Sequence, residues 1–245
     1  MGNRSGQPLG ALAAISSILG TIAIIACVLT LTFQVLLTPL PTHVFASWYV
    51  DDVSSPMDHD YLVQVAEQTL DYCNGNSGAD LPYGLDDSKT YTPDVMSHLD
   101  DVTVFFSGMK LAAIVSVLVA MACIFALWVA YRERSDSSPA RAGSRMMITA
   151  GVVILVLLAA LVVWAIVDFY TMFNMLHSLF FSSGSWLFPY DSLLICALPE
   201  QFWMAMGVLW AAMIVVVCIV LIVVGLIVRR RYGASRLVAG SRGRI

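Results

Sequence analysis

Of four histidines in the chain, His98 and His177 lie where they could work as a pair. His98 opens the stretch HLDDV, and Asp101 follows three residues on. At helical spacing that carboxylate shares the histidine's face and can orient one ring nitrogen. His177 belongs to LHSLFFSSGSWLFPYDSLLICALPEQFW, residues 176–203, where it keeps company with Asp191, Glu200, two prolines and many aromatics. An imidazole with a pKa of about 6.5 can take up or deliver a proton at neutral pH, so two facing one cavity suit general acid–base chemistry. Ordinary interfacial packing is the bland alternative. A metal site made of these histidines and one or two aspartates would be conceivable, but no HxxxH or HxH spacing supports it. No G-x-S-x-G elbow or Cys–His pair offers a nucleophile. Neither a metal nor a cofactor is expected. His43 and His59, among turn formers and acids, read as solvated surface residues.

The elements that would hold the pair are membrane helices. The 245 residues are 59% hydrophobic and 12% charged, half the charge of an ordinary soluble domain, with mean hydropathy +0.80. About 20 apolar residues cross a hydrocarbon core of roughly 30 Å, and four runs qualify, at about 9–37, 104–131, 146–170 and 202–228. The expected fold is therefore all-α: one polytopic membrane domain of four transmembrane helices. Loops at about 38–103 and 171–201 lie on one side, with a loop at about 132–145 on the other. The first run loosely resembles a lipoprotein cleavage box at Ile24–Cys27, but it stays apolar for some ten residues beyond, so it is read as an uncleaved helix.

Charge sets the orientation. Arg4, then Arg132, Arg134, Arg141 and Arg145, then six arginines from Arg229 to Arg244 all fall on one side. Of 17 acids only Glu133 and Asp136 join them. Basic residues stay cytoplasmic, so both termini are expected inside and the two acidic loops outside. This charge pattern gives no reason to expect a nucleic-acid partner. Residues 135–144 read as a flexible loop, and the last dozen as a disordered tail near anionic lipid.

The first outer loop should carry a short amphipathic helix. Ser55 offers an N-cap before Pro56, and Leu62, Val65, Ala66, Leu70 and Cys73 keep helical spacing before Asn74 and Gly75 stop it. A second start signal, Thr92–Pro93, has no breaker after it before the apolar run, so the second membrane helix should begin well outside the membrane and carry HLDDV. His98 and His177 would then both stand about 10 Å above the hydrocarbon edge. Between spans three and four, Gly184 and Pro189 break helix and Asp191 could cap a short run, giving a partly re-entrant connection that walls an outward cavity. Phe180, Phe181, Trp186, Tyr190 and Trp203 are candidates for its wall, or else interfacial anchors. Cys73 and Cys196 alone map to the outer side, where a disulfide is chemically permitted; whether they form one is left open.

HLDDV and the 176–203 segment resemble the signature segments of the bacterial lipoprotein intramolecular transacylase family, four-span integral membrane proteins. The likeness covers most of the chain: one long span, a loop helix ending in LDYCNG, the H-x-x-D-V element, then histidine, Phe-Phe, Gly-x-Trp and Asp-x-Leu in order. The chain departs from the family pattern at Leu176 and at Cys196–Ala197. The resemblance implies an acyltransferase of the bacterial cytoplasmic membrane with an outward-facing site. It would move the sn-2 acyl chain of a diacylglyceryl-modified lipoprotein to the α-amine of that lipoprotein's N-terminal cysteine, giving the lyso form. His98 and His177 would be catalytic, Asp101 and Asp191 supporting, and the partners the lipoprotein substrate and membrane lipids, with the enzyme a monomer. Which histidine is base and which acid stays open. A non-catalytic scaffold or accessory subunit binding a partner through its outer loop is the alternative. A small transporter ranks below both, because Lys110 and Asp168 are the only charges in spans two to four and both lie near ends.

Overall fold

The computed structural model describes residues 7–76, 78–131, 138–181 and 184–242. They form eight helices: α1 Gln7–Leu36, α2 Pro39–Tyr49, α3 His59–Cys73, α4 Pro93–Tyr131, α5 Ser138–Val167, α6 Phe169–Phe180, α7 Leu193–Ala197 and α8 Glu200–Arg242. Among the described residues there is no β-strand, only an isolated bridge between Tyr83 and Tyr91. Helices α1, α4, α5 and α8 are each long and apolar enough to cross a membrane. Their side chains stay apolar even where exposed, as at Ile18, Leu118, Val156 and Val208, the signature of helices solvated by lipid.

Several boundaries differ from expectation. Residue Asp58, rather than Ser55, caps α3, its carboxylate accepting from the Tyr61 amide at 2.9 Å, while the Ser55 hydroxyl accepts from the Met57 amide inside the preceding turn. The first acidic loop holds two helices where one was expected. Helix α6 continues the chain as regular helix as far as Phe180, past the point where span three was expected to end. Helix α5 starts at Ser138 and α8 runs on to Arg242, so helix replaces part of the expected flexible loop and of the expected disordered tail. Arg4, Arg132, Arg134, Glu133, Asp136 and Arg244, which entered the charge argument, lie outside the described residues. Pro93 does begin α4, as its missing N–H and fixed φ favour at a first helical position.

The chain divides into two compact units. One is formed by the segments up to Leu31, Ala112–Ala160 and from Met213. Its α5 and α8 approach closely where glycine removes the side chain: the Ser144 hydroxyl donates to the Gly225 carbonyl at 2.8 Å, and a Cβ on Gly225 would come 3.1 Å from the Ser144 carbonyl oxygen and 2.7 Å from Ile148. Small residues serve this purpose at membrane helix contacts. Gly225→Leu should overpack this contact and cost about 1–3 kcal/mol, read as a lower thermal midpoint in detergent than that of Gly108→Leu, where a Cβ meets nothing within 4 Å.

The other unit, Thr32–Leu111 with Leu161–Ala212, contains both histidines. Here α3 packs between α2 and α7, burying the predicted Leu62, Val65, Ala66, Leu70 and Cys73. Side-chain bonds tie α3 to α4 and to the segment before it: the Thr69 hydroxyl meets that of Tyr91, two residues ahead of α4, at 2.6 Å in the core, and the Tyr72 hydroxyl donates to Asp100 of α4 at 2.5 Å. At the C-terminus of α3 the Asn74 carbonyl accepts from the Lys110 ammonium at 2.6 Å, a cation where the helix dipole favours one. Cys73 and Cys196 are both buried free thiols, and burial pushes the Cys73 thiol up to about 12, an unreactive state.

Candidate active site

The first turns of α4 present Val95, His98, Leu99 and Phe106 to the interior, an i, i+3, i+4 stripe that turns Asp94 and Asp101 outward. His98 is therefore buried, and Asp101, exposed, makes no hydrogen bond to it among the described residues. The carboxylate stands in water and acts on the ring through its charge, which favours the protonated imidazole against burial, and not through a hydrogen bond. The His98 Nδ1 atom is enclosed without a hydrogen-bond partner. A buried polar atom left unpaired costs roughly 1–3 kcal/mol, which native structures rarely tolerate without a functional reason.

Asp168 caps the start of α6, its carboxylate accepting from the Thr171 amide at 2.9 Å and hydroxyl at 2.6 Å. The helix aligns Phe173, His177 and Phe181 at i, i+4 and i+8. The Phe173 ring lies 3.9 Å from the His177 ring, centroid to centroid, and Phe181 lies 5.5 Å away. The same Phe181 ring meets His98 edge-on at 5.2 Å, so one aromatic side chain touches both imidazoles. Phe105 supports it from α4 at 6.0 Å, and Phe188 covers His98 at 5.8 Å. His177 Nδ1 stands 2.9 Å from the Phe173 carbonyl oxygen. A carbonyl only accepts, so Nδ1 carries the proton, and the neutral ring leaves the Nε2 lone pair as the free acceptor.

Burial holds the His177 imidazole below its ordinary 6.5, against the opposing pull of the Phe173 carbonyl. The neutral, basic form of the ring should therefore predominate at pH 6.5. The substrate amine envisaged above would itself titrate at about 7.7–8.0 and dominate any pH–rate profile. The direct check is histidine-selective NMR titration of the protein against His177→Gln: the resonance lost in the variant should titrate below 6.5, and a value above 6.5 would contradict the burial.

Of the other expected site residues, Trp186 joins His177, at 5.7 Å between rings, and its indole N–H donates to the Asn174 side-chain oxygen at 2.8 Å. Trp186→Phe should keep the ring contact and lose that bond, with a stability change of about 1 kcal/mol in thermal unfolding. Phe180 points out and packs on Phe105 at 4.7 Å. Tyr190 is 73% exposed, its hydroxyl accepting from Ser54. Trp203 donates to the Leu198 carbonyl at 3.1 Å, away from both histidines in bonding. Asp191 is exposed, and Ser192 caps α7 in its stead. The connection is instead pinned by backbone bonds, Leu193 N–H to Asp87 and Asp51 N–H to Cys196, each 2.8 Å. Sequence reasoning missed Phe173 and Asn174; the i, i+4, i+8 spacing of Phe173, His177 and Phe181 was the available signal. A shallow groove of about 520 Å³ lies beyond Trp186 along Tyr170, Asn174 and Ser178, and neither histidine lines it. Among the described residues no three His, Cys, Asp or Glu side chains group as metal ligands would.

An all-α integral membrane protein with four spanning helices and two histidines gathered around one aromatic ring is the class that fold and site define together. Residues 14–203 match the family model described as lipoprotein intramolecular transacylase Lit, so the chain belongs to the lipoprotein intramolecular transacylase family and is an acyltransferase. Solved structures of the membrane-integral lipoprotein intramolecular transacylase Lit from Bacillus cereus have the same fold. One, at 16% identity, covers 91% of this chain and 98% of its own with TM-score 0.70. Two variants of that protein, with a histidine replaced by Arg or by Ala, are 14% identical, with TM-scores 0.65 and 0.64. They cover 92% and 91% of this chain and 96% of their own. No curated protein sequence matches.

Proposed function

We propose that this enzyme moves the sn-2 acyl chain of a diacylglyceryl-modified lipoprotein onto the α-amine of the same molecule's N-terminal cysteine, at a site facing outward from the bacterial cytoplasmic membrane. The observation that carries the reading is the shared Phe181 contact, which keeps two imidazoles no farther apart than the sum of 5.2 and 5.5 Å, one with Nε2 free to accept a proton. The amine nitrogen attacks the ester carbonyl carbon while His177 Nε2 takes the amine proton. His98 donates a ring N–H to the carbonyl oxygen as it becomes negative. The bond from that carbon to the glycerol oxygen then breaks, and the oxygen receives the proton held by His177. The proton count closes without water. Because amine and ester belong to one molecule, holding them in reach supplies much of the rate, and no enzyme nucleophile is needed.

The test is mass spectrometry of lipoprotein N-termini from a producing host with and without this chain. The reading expects an acyl group relocated from glycerol to nitrogen with no change in mass. A loss of one acyl chain, which is hydrolysis, or no change at all would overturn it.

A further inference from the structure

We infer that α2 is an in-plane membrane helix, one face of which is covered by lipid acyl chains of the leaflet adjoining the acidic loops. The inference is independent of the acyl-transfer reading and rests on three faces of one short helix. Thr42 and Ala46 are buried where α2 packs on α3. At 100° per residue the next face carries His43 and Ser47, and His43 Nδ1 pairs with Glu67 at 2.5 Å, both groups open to water. The remaining face carries Leu40, Val44 and Trp48, of which Leu40 is 72% and Trp48 67% exposed, with the half-buried Phe45 packed on the Trp48 ring at 5.9 Å.

Exposed apolar side chains gathered on one helix face, rather than scattered singly, mark a surface that meets an apolar partner. What fits this face is apolar and lies close to the bilayer. Only Leu37 and Thr38 separate α2 from membrane-crossing α1, three residue steps from Leu36 to Pro39 and so a reach of about 11 Å at most. The face therefore begins at the edge of a lipid-solvated helix and continues its contact. Pro39 and Pro41 set the turn from α1 into α2, and Trp48 and Tyr49 are the side chains that prefer the headgroup boundary. With α2 packed on α3, and α3 on α7, lipid held at this face also fixes the depth at which that packed group rides.

Fluorescence in nanodiscs tests the face assignment. The difference between the unsubstituted protein and Trp48→Phe isolates Trp48, and His43→Trp in the Trp48→Phe background reports the water face. The expected result is that brominated acyl chains quench Trp48 while acrylamide does not, with the reverse at position 43. Quenching of both positions by acrylamide alone would put α2 in water, leaving the exposed face for a protein partner. Quenching of both by bromine alone would deny α2 a water face. Either overturns the inference.

Discussion

His177→Gln is expected to lower the rate of lyso-lipoprotein formation by about 10²–10⁴-fold, the range a positioned general base contributes. Glutamine keeps a donor able to reach the Phe173 carbonyl and roughly keeps the volume between Phe173 and Phe181, but it offers no basic nitrogen where Nε2 stands. The protein should therefore remain folded and membrane-inserted. His98→Gln should cost about 10²–10³-fold, the scale of a lost donor to a developing oxyanion. The two losses should not multiply in the double variant, because residues acting as one unit are strongly non-additive. Purified variants in nanodiscs with a synthetic diacylglyceryl peptide, followed by mass spectrometry, give all three rates. Near-normal rates in both single variants would leave the acid–base proposal without its residues.

Phe181→Ala should cost about 10²-fold, because misplacing reacting groups by an ångström or so costs that much. This ring touches His98 at 5.2 Å and His177 at 5.5 Å, and its removal frees both imidazoles to turn. Phe181→Leu, which keeps apolar bulk, should recover part of the rate. Because Phe181 is half-buried at the end of α6, the thermal midpoint should fall less than for truncation of a fully enclosed side chain such as Phe202. A rate that follows the midpoint, with Leu no better than Ala, would reduce Phe181 to packing.

The sequence by itself determined the four membrane spans, because a bilayer demands a length of apolar helix that four stretches meet. It also determined the start of α4 at Pro93 and the pairing of His98 with His177 as the residues worth following. The α3 core from Leu62 to Cys73 was legible for the same reason: a 3.6-residue period with one apolar stripe has one way to be buried.

Only the tertiary structure decided which faces turn inward. Asp101 shares a helix turn with His98, and spacing alone made it an orienting partner; burial of Val95, His98 and Leu99 turned it to water. Asp191 yielded the cap of α7 to Ser192, and Ser55 yielded that of α3 to Asp58, because a cap depends on where the chain bends into the helix. Phe181 acquired its place between two imidazoles from elements some eighty residues apart. Local spacing says which side chains stand together on one helix, whereas the neighbour across the gap is chosen by packing of the whole unit, and the proton chemistry proposed for this site depends on that neighbour.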